Sequence, residues 1–214
     1  MHISDGLLPA RVCIGGYAIT GLLTWYTLRQ INQRSDPTAE IPKASLLIAA
    51  FFAAASIRVP IPPTSVHLVL NGALGAVLGW YAFPAILIGL FLQALVFGHG
   101  GLTTLGVNAV MIGVPALLAA GIFQWHKRFE RWLNPKLSTR LFSFIAGALG
   151  LAIAALVFFT LVITTIPSGF DAAIERKALY SLMVAHVPLM LLEGIFTMLL
   201  VSFLSRVQPG TLNS

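Results

Sequence analysis

The 214-residue chain is 57% hydrophobic and only 9% Asp, Glu, Lys or Arg, against roughly a quarter charged in a soluble domain. With a mean hydropathy of +0.89, it has too few polar side chains to cover a water-facing surface. Lipid is therefore the solvent for most of it, which excludes most soluble-enzyme and free nucleic-acid-binder readings.

Charge gaps divide the chain into spans. Residues 12–28 carry no Asp, Glu, Lys or Arg, about one bilayer crossing, and form the first predicted helix. The mixed-charge stretch 29–43, with two prolines, is a loop outside the hydrocarbon. A second helix over 44–57 is short for a span and is closed by Arg58 and the prolines at 60, 62 and 63. From Val59 to His126 there is no Asp, Glu, Lys or Arg at all, room for about three crossings. Division at Pro84 and at the Phe-Gly-His-Gly-Gly turn gives helices over 66–81, 83–97 and 105–125. A basic loop, 127–140, precedes a sixth helix over 141–166. A mixed loop, 167–178, precedes a seventh over 179–204. The expected fold is all-α, a single domain over residues 1–214 built as a polytopic membrane bundle of about seven helices.

With the N-terminus outside, nine basic residues fall on the inner side and four on the outer (Arg11, Arg58, Arg176, Lys177). Lys and Arg prefer the cytoplasmic side, so a cytoplasmic C-terminus in a bacterial inner membrane is expected. The opening Met-His-Ile-Ser-Asp-Gly has no basic region of the signal-peptide kind, and a bulky second residue disfavours removal of Met1. The lone Cys13 offers neither a disulfide nor a CxxC pair.

Histidines carry most of the chemistry, because carboxylates are scarce. His2, His67 and His99 fall in the same outer half of this topology and could meet near one surface. His126, beside Lys127 and Arg128, reads as a solvated interfacial residue, and His186, near Pro188, as a packed one. The terminal amine of Met1, the amide nitrogen of His2 and its imidazole can wrap a metal in fused chelate rings. His67 is the natural fourth nitrogen, completing a square suited to Ni(II) and Cu(II) and accessible to low-spin Co(II). Asn71, Gln93, His99 and Asn108 are candidates to orient an imidazole through its other nitrogen. Against this stands the commoner case of an intramembrane histidine that merely satisfies a helix carbonyl. Glu193 is the one carboxylate deep in a span, a functional candidate by its cost of burial or a structural partner to a helix end. Gly72, Gly75, Gly79, Gly147 and Gly150 have the small-residue character that lets helices approach closely in lipid. HExxH, GxSxG and P-loop patterns are absent from the sequence, so the chain cannot hydrolyse ATP by itself.

These residues coincide with a known pattern. The opening MHISDGLLP, the segments SVHLVLNGALGAVLGW and LIGLFLQALVFGHGGLTTLGVNAVMIGVPA, and HVPLMLLEGIFT resemble the CbiM/NikM family, the substrate-binding membrane components of energy-coupling-factor transporters for cobalt and nickel. The resemblance spans nearly the whole chain. It implies a seven-helix bundle whose N-terminus threads inward, so that nitrogens of Met1 and His2 with His67 hold the metal. It places Asp5, Gly6, Asn71, Gln93 and His99 in motif positions that shape or support that site. Co(II) or Ni(II) is then the transported substrate, with no organic cofactor, and the unfused length favours cobalt. The implied partners are a transmembrane coupling subunit, two cytoplasmic ATPases and a small accessory membrane protein, within the lipid bilayer and without nucleic acid. Two other readings are a stand-alone secondary transporter or channel with structural histidines, and an intramembrane enzyme using His and Glu193.

Overall fold

The computed structural model describes residues 2–54, 58–61, 64–166 and 171–207. Its helices are α1 (Ala10–Asn32), α2 (Ile41–Ala54), α3 (Asn71–Leu78), α4 (Ala82–Phe97), α5 (Leu105–Gln124), α6 (His126–Phe129), α7 (Pro135–Thr164) and α8 (Ala172–Val207). Four helical stretches, Asn71–Phe97, Leu105–Phe129, Pro135–Thr164 and Ala172–Val207, are long and apolar enough to cross a membrane. Large apolar side chains such as Ile14, Leu22, Leu46, Val96 and Val184 stand exposed on the helix flanks, as they do where lipid replaces water.

The sequence places a third helix over 66–81, but a β-hairpin occupies its start. β1 (Arg58–Ile61) pairs antiparallel with β2 (Thr64–His67), with Val59 opposite Val66. The cause is local. In the sequence, two four-residue runs rich in β-branched residues flank a proline pair, a composition that favours strands over a continuing helix. Only eight residues of α3 then remain, about 12 Å at 1.5 Å per residue, too short to cross ~30 Å of hydrocarbon alone. A 3₁₀ turn over Gly79–Tyr81 joins it to α4, with Gly79 at φ +57°. Gly79 is thus a backbone hinge, not the packing residue that its GxxxG spacing suggests. Residues 55–57 of the second expected helix lie outside the described residues.

The last two long helices begin earlier than the charge gaps indicate. Asn134 caps α7, its side chain accepting from the Lys136 amide at 3.0 Å with Pro135 in the first turn, a strong start signal. α8 begins at Ala172 because Asp171 caps it, its Oδ1 accepting from the Ala173 and Ile174 amides at 2.8 and 3.3 Å, and Glu175, Arg176 and Lys177 are good helix formers. Charge excludes those turns from lipid without breaking the helix.

α5 is the centre of the bundle, packing against α1, α3, α4 and α7, while α7 and α8 run along each other. Glycines set these approaches. At the crossing of α1 and α5, Gly16 meets Val107 and Gly106 meets the backbone of Tyr17. Gly72 and Gly150 face each other between α3 and α7, and Gly147 rests on Glu193 and Thr197 of α8. A Cβ on Gly75 would overlap the Ala116 carbonyl of α5, whereas one on Gly121 would meet nothing. Gly75→Ala should therefore destabilise the bundle by about 3 kcal/mol, at the upper end of overpacking costs, and Gly121→Ala should not destabilise it. Thermal unfolding of both variants in detergent measures the contrast; equal melting would show that α3 and α5 can part without penalty.

Candidate functional site

The described chain opens with a short segment, residues 2–9, that inserts its third side chain into the core. Ile3 is 1% exposed. Its backbone is gripped as a neighbouring strand would grip it: the Ile3 N–H donates to Asn108 Oδ1 at 2.9 Å, and Asn108 Nδ2 donates to the Ile3 carbonyl at 3.0 Å. The Thr104 hydroxyl donates to the same carbonyl at 2.7 Å. Both gripping residues lie at the start of α5, so a helix end holds the segment in register.

The loop between α4 and α5 completes the grip. α4 ends because Gly98 takes a left-handed φ of +63°, and the N–H groups of Gly98 and His99 both close onto the Gln93 carbonyl, a glycine-terminated helix end. His99 is thereby turned off the helix axis. Gly100, at φ +78°, would bring any Cβ to 3.6 Å from that of His2. A Cβ on Gly101 would collide with the Asp5 carboxylate. Asp5 Oδ1 accepts from the Thr103 hydroxyl and from the amides of Thr103 and Thr104, at 3.0 and 3.3 Å. These bonds, the Thr103 hydroxyl foremost, hold its carboxyl below the usual carboxylate range. Gly6, at φ +83°, turns the chain after Asp5 towards α1.

His2, His67 and His99 come together as a stack of three imidazoles. Ring centroids are 5.2 Å apart for His2 and His67, 6.0 Å for His2 and His99, and 6.3 Å for His67 and His99, with interplanar angles of 20°, 26° and 9°. Nδ1 of His67 lies 3.1 Å from the Leu68 carbonyl. That contact assigns the proton to Nδ1 and the lone pair to Nε2, the usual arrangement of a metal-binding imidazole. Nε2 of His2 is buried without a geometrically sound hydrogen bond, as is Oε1 of Gln93, although the Gln93 side chain lies close enough to His2 to bear on its protonation. The two atoms thus face each other in one buried spot, with no other polar partner for either. Burial, reinforced by the other imidazoles, pushes His2 well below its ordinary pKa. Burial also takes His67 down to about 3, so both rings are neutral nitrogen donors at physiological pH. Among the described residues no three His, Cys, Asp or Glu side chains already converge as a ligand set, and Met1 lies outside them.

Behind the imidazoles stands Glu193. This carboxylate, 1% exposed, accepts from the amides of Val69 and Leu70, the latter at 3.1 Å to each oxygen. α8 thus caps the start of α3 two residues beyond His67. Leu70 sits there at φ +54°, a left-handed conformation that costs an L-residue roughly 1–2 kcal/mol. Glu193 is therefore the partner of a helix end, the structural one of its two expected roles.

The remaining polar residues divide by location. Asn71 makes its hydrogen bonds to the Ile112 and Gly150 carbonyls, at 3.3 and 2.9 Å, and to the Gly72 amide. It ties α3 to α5 and α7, and none of these bonds reaches an imidazole. Asn108 grips the Ile3 backbone instead of orienting a ring. His186 returns Nδ1 to the Leu182 carbonyl of its own helix at 2.7 Å, as a packed histidine does. His126 departs from expectation: it is 7% exposed, stacked on Phe123 at 4.6 Å with Nδ1 2.6 Å from the Phe123 carbonyl. Its charged neighbours in sequence point elsewhere because a helix sends consecutive side chains about 100° apart.

Asn108→Leu should free the N-terminal segment without removing any imidazole. The expected result is a metal affinity lower by about 10–100-fold, the effect typical of residues that position a ligand. Equilibrium titration against wild type measures it, and an unchanged affinity would mean that the Ile3 clamp has no bearing on the site.

A family model described as the cobalt uptake substrate-specific transmembrane region matches residues 2–211. A putative metal transport protein of Haemophilus influenzae is 32% identical over 219 residues, covering all of this chain and 97% of its own. A putative fused cobalt transport protein CbiMQ of Methanocorpusculum labreanum is 31% identical, the match covering 98% of this chain and 36% of that longer one. Among solved structures, a truncated transition metal transporter superposes with a TM-score of 0.76 over 96% of this chain and 99% of its own, at 24% identity; that likeness shows the fold.

Proposed function

Because this chain belongs to the cobalt uptake substrate-specific transmembrane family, a family of metal-transport membrane proteins and not of enzymes, we propose that it captures Co(II) or Ni(II) through nitrogens of Met1, His2 and His67. The observation that carries this reading is the gathering of His2, His67 and His99 within 6.3 Å of one another beside a clamped N-terminal segment. Two donors come from the terminal amine and the His2 amide, and two from the imidazoles of His2 and His67. His99 and Gln93 flank them, and Asp5 fixes the turn that delivers the segment. Such a nitrogen square rejects Mg(II) and Ca(II), which take oxygen ligands, and suits late transition metals.

The imidazole face opens outward in this proposal, with the C-terminus in the cytoplasm of a bacterial inner membrane, in keeping with the excess of basic residues at the opposite end. A relative named as a fusion of two transport proteins supports physical association with a second membrane component. ATP hydrolysis belongs to cytoplasmic partner subunits, and the ion passes inward when they act on the bundle. The alternative of a stand-alone secondary carrier predicts metal flux in vesicles holding this chain alone.

Titration of the purified protein, with its native untagged start, by Co(II) and Ni(II) tests the reading. One tightly held ion per chain is the expected result, and absence of binding to either metal would reject it. The pH dependence is specific. Binding requires each nitrogen to be unprotonated; His67, taken down to about 3, is neutral from pH 5 to pH 8, and burial shifts His2 in the same direction. Affinity should still fall from pH 8 to pH 5, because an α-amine titrates near 7.7–8.0 and the amide proton must also leave. An affinity flat across that range would place the metal on imidazoles alone.

A further inference from the structure

About 20 Å further along α8 from Glu193, at 1.5 Å per residue, the structure holds a second polar site of different chemistry. The start of α7 and the end of α8 enclose a pocket of about 370 Å³ lined by Lys136, Thr139, Arg140, Ser202, Ser205 and Arg206. That volume lies within the ~300–1,000 Å³ of ordinary ligand pockets. Three cations and three hydroxyls line it, and among the described residues no carboxylate does. Among the described residues none of the three cations is paired with an acid. Three positive charges with no counter-ion among the described residues repel one another, an arrangement that an anion relieves.

The surroundings identify the kind of anion. Directly beside the pocket, Leu137, Leu141, Leu199, Phe203 and Val207 are between 43% and 60% exposed. They begin the apolar flanks of two membrane-length helices. The pocket therefore sits at the depth where hydrocarbon gives way to water, with charge on one side and acyl-compatible surface on the other. A ligand that matches both is an amphiphile with a phosphate head. Basic pockets between membrane helices recognise anionic lipid headgroups in this way.

We infer that the pocket between the α7 start and the α8 end binds the phosphate headgroup of an anionic phospholipid, whose chains lie along the exposed flanks of α7 and α8. Lys136, Arg140 and Arg206 supply the charge. The Ser202 hydroxyl supplies a neutral donor to the phosphate oxygens, while those of Thr139 and Ser205 donate to the Pro135 and Ser202 carbonyls and offer lone pairs to the lipid's own hydroxyls.

The experiment uses the full chain reconstituted in equal phosphatidylglycerol and phosphatidylcholine, extracted in mild detergent and examined by native mass spectrometry. Wild type should retain one phosphatidylglycerol in preference to phosphatidylcholine. Arg140→Gln/Arg206→Gln should lower that preference by about 30-fold, the ratio set by two basic side chains near an anionic surface. Arg29→Gln, a cation outside the pocket, should leave it unchanged, and unaltered Co(II) binding by the double variant verifies its fold. Equal loss in the Arg29→Gln control would reduce the effect to diffuse charge and overturn the inference. So would displacement of the lipid by millimolar inorganic phosphate, which would make the pocket a soluble-anion site. Loss of partner-subunit co-purification without any lipid preference in wild type would assign the pocket to a protein carboxylate instead.

Discussion

His2→Gln is expected to abolish metal capture while leaving the bundle folded. A four-ligand nitrogen or sulfur site typically supplies ~10–16 kcal/mol, so removal of one imidazole costs about 4 kcal/mol, roughly 1,000-fold in affinity. Gln at the second position keeps a bulky side chain, so Met1 should be retained and its amine preserved. The Ile3 clamp, made by Asn108 and Thr104, is untouched, and the melting temperature should move little. A companion protein with residues added before Met1 should lose affinity to a similar degree while keeping His2 intact. Both effects are read by titration with Co(II) and Ni(II). If the extended protein binds as wild type does, the terminal amine is no ligand and the imidazoles of His2, His67 and His99 form the site by themselves.

Glu193→Ala should produce the second large effect, on stability first and on the metal through it. The change leaves the Val69 and Leu70 amides buried without an acceptor, at about 1–3 kcal/mol each, and releases Leu70 from its left-handed turn. We expect a loss of about 3 kcal/mol and a weaker metal site, since His67 lies two residues before Val69. Glu193→Gln keeps one carbonyl oxygen for those amides and should recover much of both. Thr197→Val provides the comparison: it removes a bond to the Glu193 backbone carbonyl at 2.7 Å and leaves the carboxylate alone, so it should cost less than 1 kcal/mol. Unfolding in detergent and metal titration read the series. A Glu193→Ala protein that melts with wild type would show that water or a neighbour satisfies the two amides.

Charge gaps reveal the membrane bundle because exclusion of ions from hydrocarbon is a composition effect that needs no tertiary structure. They misplace helix starts for the same reason. Lys136 and Glu175 sit comfortably in helical turns, and only the Asn134-Pro135 signal, visible in the sequence, would have moved the start of α7. The hairpin that carries His67 at its end is also legible in the β-branched runs on either side of Pro62-Pro63, but the continuous apolar run hides it within a helix. Gathering His2, His67 and His99 at one end required only the helix order. The grip of Asn108 on Ile3 and of Glu193 on Val69 and Leu70 could not be read, because each joins a side chain to backbone groups more than a hundred positions away. Backbone donors carry no sequence signature. His126 shows the converse error, in which charged sequence neighbours were taken for spatial ones.

The clamp on the first residues also bears on when the site can come into being during synthesis. Ile3 leaves the ribosome long before its partner Asn108, which lies 105 positions later, and Glu193 meets Val69 across 124. A growing chain with only its first helices inserted has the His2 imidazole but neither the clamp nor the brace. Contacts of such separation form late, once the intervening loops have been closed. If the metal site is the one proposed, its avidity arrives with the final helix, and a nascent chain would not sequester scarce metal before the bundle is complete.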